Sequence, residues 1–550
     1  MDTVGNSVLQ RAYFCGAGVV TGLLLHHGLF INGEWHLSGP HIVVIHASIF
    51  AALIAAKSYY HNSPSGSVFG SLVMASWWYL ATLIASIVVY RVFFHRLSKA
   101  RFAGPWYARV TKLWHVYASR RSQNHLVLEA LHEQYGDFVR TGPAEITVFH
   151  PDVFIAIDGP RSECIKAEWY DVLHPNLALV TARDRAVHAA RRREWNRGFT
   201  SQARAEHNAR VLNSVDELEK CIEADTRHGK ASNARDLFYW FGFDAMGDFV
   251  FSSSFGQLRN RRWHGTIVRL QSAMSLLGPF SPVPWLVQVG FRLLPRVYAL
   301  RDWFEMMDWC AQQMRSRLDD SYVKHSRDLT YYLMEQDGQS QNADSFFWLH
   351  GDSVFAIVAG SEPVAITLLG IFCELAKHPH HAEKILGEVE GVDVTDIRAL
   401  AILPHLNAVI NEALRLYPIA PTGGARKTTD GGIVVGGRFI PPGTTIYAPR
   451  YSIFRREDCF ERATEFVPER WSTEPQLVRN AAAFAPFSTG HHSCLGRGLA
   501  TDIVRYVTAR IVKKYKVGLA DGEDARQFWG DMRDQFTACP GGLSLKFETR

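Results

Sequence analysis

Three long apolar stretches open the chain, and after them the pattern turns to helical periodicity. Residues 12–31 run for 20 positions without Asp, Glu, Lys or Arg, residues 41–56 for 16 and residues 67–90 for 24. A spanning helix takes about 20 such positions, so the first and third stretches are long enough and the second is marginal. The second also suits a buried or interfacial helix. A cleaved signal peptide carries one short apolar run and a small-residue cleavage site, which this pattern does not match. Beyond residue 101 the longest helical segment is 344–377, opening on an Asp N-cap and stopping before Pro379. Its middle is apolar on nearly every side, which predicts burial. A second helix is predicted over 404–417, with Pro at its start and Pro418 as its stop. Residues 432–447 alternate apolar and turn residues and predict a small hairpin sheet. The fold class is therefore mainly α with small β-sheets, preceded by N-terminal transmembrane helices.

Charge sets the orientation of the apolar region. Residues 91–128 hold eight Lys or Arg and no Asp or Glu. Positive residues beside a span stay cytoplasmic. Residues 1–100 thus read as a membrane anchor of up to three helices in contact with lipid, and 101–550 as a cytoplasmic domain. An odd number of spans leaves the N-terminus on the opposite face. Phe102-Ala103-Gly104-Pro105 reads as a stiff hinge between the two.

The 550 residues are 47% hydrophobic and 21% charged, enough for a large core and unlike a disordered chain. A net charge of +5 is too mild to imply a nucleic-acid partner. The eight cysteines are scattered with no C-x-x-C pair, which argues against a disulfide-stapled secreted protein or a structural zinc module.

The most informative segment is Phe487-Ser488-Thr489-Gly490-His491-His492-Ser493-Cys494-Leu495-Gly496. Glycines flank one cysteine four residues before and two after, and a helix-like run begins at Leu495. A cysteine at a helix N-terminus meets free N–H groups and the positive end of the dipole, which favour a thiolate. The glycines allow a tight loop that approaches a flat ligand closely. A lone thiolate there suits haem iron, redox chemistry or nucleophilic attack; a buried, inert cysteine is the plainer reading.

Two further features narrow the choice. Glu412-Ala413-Leu414-Arg415 sets an acid and a base three apart on one helix face. Pro468-Glu469-Arg470-Trp471 follows later. With these the chain resembles the cytochrome P-450 family over roughly residues 101–550. The cysteine loop matches the F-x-x-G-x-x-x-C-x-G signature through Phe487, Gly490, Cys494 and Gly496. Glu412 and Arg415 match the E-x-x-R pair, and Arg470 matches the arginine of the P-E-R segment. The resemblance implies that Cys494 is the axial thiolate ligand of haem iron. It also implies that Glu412, Arg415 and Arg470 form a buried charge network of structural role. His188 and Arg192 match a propionate-binding H-x-x-x-R, although three consecutive arginines also suit a solvated basic face. Arg426 matches a further propionate arginine, or equally a surface charge.

Two positions depart from the family pattern. His492 stands where an arginine is usual. Ala359-Gly360-Ser361-Glu362-Pro363 resembles the oxygen-activation motif A-G-x-D/E-T, with Gly360 making room for dioxygen and Pro363 replacing the threonine. Proline has no N–H, so the carbonyl of Ala359 loses its helical partner and a kink is predicted. Glu362, that carbonyl and Ser361 then organise a water-based proton relay; a structural ion-pair role for Glu362 is the alternative.

The resemblance implies a haem-thiolate monooxygenase that inserts one oxygen atom from O2 into a lipophilic small molecule, in specialised metabolism. No nucleotide-binding fingerprint follows a strand, so electrons come from outside, by the resemblance from NADPH through a flavoprotein reductase docking near Cys494. The apolar stretches imply a multi-pass membrane protein, and with the resemblance, in which an anchor is usual for eukaryotic members, the expected location is the endoplasmic reticulum with the catalytic domain cytoplasmic. Gly423, Phe355, Ile357 and Phe536 are expected to line the pocket, and residues 276–294 to form a membrane-dipping lip. An isomerase or dehydratase needing no external electrons, and a silent membrane haem binder, stay open.

Overall fold

A computed structural model describes residues 2–319, 326–334 and 343–550. The anchor is a bundle of three helices, Asp2–Leu25 (α1), Gly39–Tyr59 (α2) and Pro64–Val89 (α3), with α3 packed against both others. All three are long and apolar enough to cross a membrane. Leu24, Ile49, Trp77 and Ile84 point outward, as lipid-facing side chains do. His26 and Ser86 hydrogen-bond at 2.7 Å where α1 and α3 reach the same end of the bundle. Loop 31–38 lies at that end too, on the side of the following domain.

The stretch predicted as a hinge is instead docked. The carbonyl of Ala103 accepts the N–H of Arg140 at 2.6 Å, and a Cβ on Gly104 would lie 2.4 Å from the Arg140 carbonyl oxygen. The fully buried Arg140 guanidinium donates to Ser98 Oγ at 2.6 Å and to the Arg91 carbonyl at 3.2 Å. A buried guanidinium stays only where its donors are satisfied, so this linker is fixed to the domain.

The domain is mostly helical. Arg185–Arg197 (α4) starts at an Asp184 N-cap. Ala234–Phe251 (α5) starts at Asn233, whose side chain accepts the N–H of Asp236 at 3.0 Å. Pro284–Leu293 (α6) lies inside the predicted lip. Ala343–Lys377 (α7) runs unbroken through Pro363; the side chain of Asp344 lies outside the described ones. Pro404–Leu416 (α8) and Arg497–Lys514 (α9) complete the frame of the site. Both α5 and α7 are apolar nearly all round, and they pack along each other at the centre of the main core. Phe238 and Phe372 stack across that contact at 5.2 Å. Gly242 lets the two backbones close, since a Cβ there would sit 2.5 Å from the Ser361 carbonyl oxygen.

A five-stranded sheet carries the order Phe138–Gly142 (β1), Glu145–Val148 (β2), Thr445–Tyr447, Arg426–Lys427, Ile165–Lys166. In chain order the last named is β3, Arg426–Lys427 is β4, and Thr445–Tyr447 is β7, after the hairpin Ile433–Val435 (β5) and Arg438–Ile440 (β6). That hairpin turns through Gly436 and Gly437, both at positive φ, as a two-residue turn requires. The predicted single hairpin over 432–447 is thus divided, because β7 leaves to pair in parallel with β2. Near the C-terminus Arg533–Gln535 (β8) and Thr537–Cys539 (β9) form a second hairpin.

Candidate active site

Cys494 opens onto a cavity of about 470 Å3 inside the domain. Its loop is held by local geometry. The Phe487 carbonyl accepts the N–H of Cys494 at 2.8 Å. Gly490 has φ +57°, and a Cβ there would fall 2.1 Å from the Asp158 carbonyl oxygen, so no other residue fits. Helix α9 starts at Arg497 with Gly496 as N-cap, two residues later than the pattern predicts. The N–H groups of Gly496 and Arg497 at that start favour the charged form of the sulfur. Burial pushes the thiol up, and those two donors with the charges of Arg192 and Arg497 pull it back. The Arg497 guanidinium also lies 5.8 Å over the Phe487 ring, which forms part of the cavity wall.

One part of the wall is cationic. Lys166, His188, Arg192, Arg426, Arg450 and His492 line it, and Asp158 is the one carboxylate among the described lining residues. Arg192 extends from α4 to the Ser493 carbonyl at 2.9 Å and to Ser493 Oγ at 3.1 Å. Its neighbour Arg191 turns to the core and binds Asp352 at 2.6 Å, while Arg193 is exposed. Arg426 on β4 donates to Asp158 at 2.6 Å and to the Tyr170 hydroxyl at 2.6 Å. The His188 and His492 rings meet at 4.7 Å. Burial, then Lys166 and Arg192, hold His188 down at about 4. Burial, then Arg426 and Lys166, hold His492 down at about 2, and its Nδ1 is buried without a partner. Burial, then Arg426 and Arg192, hold Lys166 on β3 at about 7; among the described residues its ammonium hydrogen-bonds the carbonyls of Leu179 and Val180, at 2.9 and 2.8 Å. Such an excess of positive charge and unpaired donors fits an anionic ligand, and the sulfur fits a metal beside it. Both fit haem, whose propionates carry negative charge. Lys166, Asp158 and Tyr170 bear no local sequence signal; only the fold assembles them.

The rest of the wall is apolar and aromatic, with Trp169, Trp195, Phe199, Phe249, Phe355 and Phe536 among its residues. Gly423 lines it as well. Ile357 does not; it is buried in the main core, on another side of α7.

Helix α7 presents Ala359, Gly360, Pro363 and Val364 to the cavity. A Cβ on Gly360 would meet the Met246 sulfur at 2.2 Å, so α5 presses on this turn from behind. Ser361 is turned away: its hydroxyl donates to the Ile357 carbonyl at 2.7 Å and it is fully buried against α5. Glu362 does not line the cavity. It accepts a 2.5 Å hydrogen bond from the hydroxyl of Thr537 on β9, and Thr537 does line it. Burial pushes the Glu362 carboxyl up to about 7, against the pull of the Thr537 hydroxyl and Arg235.

Beneath the loop, Arg415 binds Glu412 through two bonds of 2.9 and 2.7 Å, and Arg470 binds the same carboxylate at 3.0 Å. All three side chains are fully buried. The Trp471 indole N–H completes the set at 2.8 Å, and its ring lies 4.4 Å from Phe484, close to the root of the cysteine loop. The arginines also donate to the carbonyls of Phe454, Ala463, Glu465 and Glu461. Every charge is therefore paired, as burial demands.

The family model described as Cytochrome P450 matches residues 105–547. A cytochrome P450 monooxygenase of Fusarium pseudograminearum is 34% identical, covering 98% of this chain and 99% of its own length. Tryprostatin B 6-hydroxylase of Aspergillus fumigatus is 34% identical over 97% of this chain and 95% of its own. The cytochrome P450 monooxygenase phqL of Penicillium fellutanum is 34% identical over 96% and 94%.

Proposed function

The chain belongs to the cytochrome P450 family and is a monooxygenase, and from that premise we propose that it oxygenates a lipophilic small molecule of specialised metabolism at a haem bound between Cys494 and α7. The observation that carries this reading is the position of Cys494: it lies just before the N-terminus of α9, opens onto an aromatic cavity and stands beside a wall whose cations outnumber its one described carboxylate. When bound, the haem supplies dioxygen activation, one oxygen atom entering the substrate and the other leaving as water.

The chain's own residues supply the rest. Cys494 gives the thiolate, and the N–H groups of Gly496 and Arg497 tune its charge. Arg192, Arg426, Lys166 and the two histidines His188 and His492 hold the propionates, Arg426 being oriented by Asp158 and Tyr170. Glu412, Arg415 and Arg470 fix the ground on which the loop rests. Protons reach the cavity through Glu362 and Thr537. With its carboxyl near neutral in affinity, Glu362 passes a proton to the Thr537 hydroxyl, which passes its own proton inward. Ser361 takes no part, because its hydroxyl is held by Ile357.

Electrons come from an NADPH-dependent flavoprotein reductase docking near Cys494, and the anchor lies in the endoplasmic reticulum membrane with α6 against its surface. Leu293 and Leu294 at the end of α6, and Tyr298 at the start of the helix after it, are exposed, in keeping with contact to lipid. One named relative hydroxylates tryprostatin B, and nine aromatic rings among the described cavity-lining residues, Trp303 included, suit a polycyclic substrate of comparable class. The test is the carbon monoxide difference spectrum of the reduced holoenzyme, with product formation from candidate substrates when NADPH and a reductase are added. A thiolate-type Soret band with NADPH-dependent oxygenation supports the reading. Turnover without NADPH overturns it in favour of an isomerase, and absence of both bands and turnover overturns it outright.

A further inference from the structure

Loop 31–38 joins α1 to α2, yet its acidic and imidazole groups bind the catalytic domain. Glu34 takes the Arg183 guanidinium through two bonds, 2.7 Å to Oε2 and 3.0 Å to Oε1. The same carboxylate takes Lys427 Nζ at 2.6 Å. His36 Nε2 meets Asp171 Oδ2 at 2.8 Å, and Arg183 reaches that carboxylate at 2.5 Å. Lys427 also binds Glu168. All six side chains are at least two-thirds shielded from solvent. Burial pushes the Glu34 carboxyl up, but hydrogen bonds from Arg183 and Lys427 prevail and hold it well below its ordinary range.

The partners of this loop are not scattered. Glu168, Asp171 and Arg183 belong to one segment, 168–183, that supplies much of one cavity wall, including Tyr170, Leu173, Leu177 and Val180. Lys427 follows Arg426 on β4, which binds Tyr170 in the same segment. From the other side Gln288 of α6 donates to the carbonyls of Asp171, Val172 and His174 at 3.0, 2.8 and 3.2 Å. Helix α6 itself rests on α2: Trp285 packs at the Gly39 position, and Arg292 donates to His41. The wall is thus gripped at both ends by the anchor and at its middle by a helix that the anchor supports. The linker at Arg140 is likewise hydrogen-bonded to the domain, so the anchor is tied to it at a second place.

We propose that loop 31–38 is a positioning element of the cavity, in which Glu34 and His36 clamp the wall 168–183 and so limit how readily that wall opens to admit a substrate. The apolar region then does more than attach the protein to a membrane. A chain without it would keep the cysteine loop and lose control of one cavity wall. Each ion pair is partly exposed and modest alone, but five charges and one imidazole act on one short segment. The proposal takes from the function above only that this cavity receives the substrate.

The test uses the full-length holoenzyme in phospholipid nanodiscs. Amide hydrogen exchange of peptides covering 165–183 is compared in the wild type, Glu34→Gln and Arg183→Gln. Opening of the wall is expected to rise by about tenfold in both variants, while peptides of the cysteine loop exchange as before. Raising sodium chloride to about 1 M, where screening acts within about 3 Å, should loosen the wild-type wall and affect Glu34→Gln less, since only Arg183–Asp171, His36–Asp171 and Lys427–Glu168 are left to screen there. That comparison needs no variant to fold better than the wild type. The association rate of econazole, read from its haem spectrum, is expected to rise several-fold in Glu34→Gln. Unchanged exchange at 165–183 in both variants and at high salt overturns the proposal. The carbon monoxide spectrum of each sample reports separately on the thiolate site, so failure of the haem assignment is not mistaken for failure of the clamp.

Discussion

The hydroxyl of Thr537 donates a 2.5 Å hydrogen bond to the carboxylate of Glu362, joining a C-terminal hairpin to the central helix across 175 residues of sequence. Pro363 leaves α7 without a hydroxyl at the turn after Glu362, and the hairpin brings one to it from outside the helix. Glu362 thereby acquires a route to the cavity that its own helix does not provide.

This pair predicts a pH dependence with a definite sign. The Glu362 carboxyl is raised to about 7, so the folded protein holds its proton over a range where the unfolded chain has lost it. Product formed per NADPH consumed should fall as pH rises through about 7. Glu362→Gln should be poorly coupled at every pH. Thr537→Val should lower coupling and move its titration to higher pH, because the hydroxyl that pulls the carboxyl down is gone. The stability that the protonated carboxyl confers is likewise lost as pH rises through about 7, so Glu362→Gln should melt higher than the wild type above that value. A flat coupling profile in the wild type removes the pair from proton delivery.

Replacing Cys494 with Ser keeps the size of the side chain and removes the thiolate. The reduced carbon monoxide complex should lose its thiolate-type Soret band and oxygenation should cease. Retention of either shows that another residue holds the iron.

Removing one member of the buried charge network leaves the others uncompensated. Arg415→Leu should cost about 3–5 kcal/mol, because Glu412 would remain buried with only Arg470 and two N–H donors. Urea unfolding of the holoenzyme checks this, and haem content should fall in parallel. A change below about 1 kcal/mol would mean that the network is not under this load.

Gly490→Ala tests the loop geometry. A methyl group would fall 2.1 Å from a backbone oxygen at positive φ, and neither partner is a flexible side-chain end. The left-handed conformation alone costs about 1–2 kcal/mol, and the clash adds to it. Haem content after purification should drop steeply, with the helices intact by far-ultraviolet circular dichroism.

Lys166 is held at about 7 by burial and by Arg426 and Arg192. An arriving propionate restores its charge, so haem binding takes up a proton, and affinity should weaken as pH rises above about 7. Transfer of haem to apomyoglobin, followed by absorbance, should be faster above that value than below it. In Lys166→Met the loss should be faster throughout and its pH dependence reduced.

Sequence and structure divide the molecule along lines of contact distance. Apolar runs longer than a bilayer, the all-round apolar middle of 344–377, and helix boundaries marked by Pro404, Pro418 and Pro379 were legible because each depends on neighbours within one or two turns. The cysteine loop was legible for the same reason: a thiol, two glycines and a helix start are a local pattern, and the structure moves that start by two residues only. That Glu412 and Arg415 share one helix face was legible locally; their burial was only implied by the family resemblance, and the carbonyls that satisfy Arg415 come from residues 454–465.

What the sequence left undecided is whatever distant segments bring to one point. Ser361 and Glu362 are adjacent, and only packing against α5 turns one inward while β9 reaches the other. Ile357 and Phe355 look alike in composition, yet one is core and the other wall. The linker at 102–105 has the composition of a hinge and is fixed by an arginine on β1. Glu34 sits in a polar loop between two apolar helices, without any local sign that two cations from residues 183 and 427 meet it. Periodicity reports which side of an element avoids water, since that is a property of the element alone. Which charge meets which depends on the closure of long chain loops, and that is settled only when the whole core has packed.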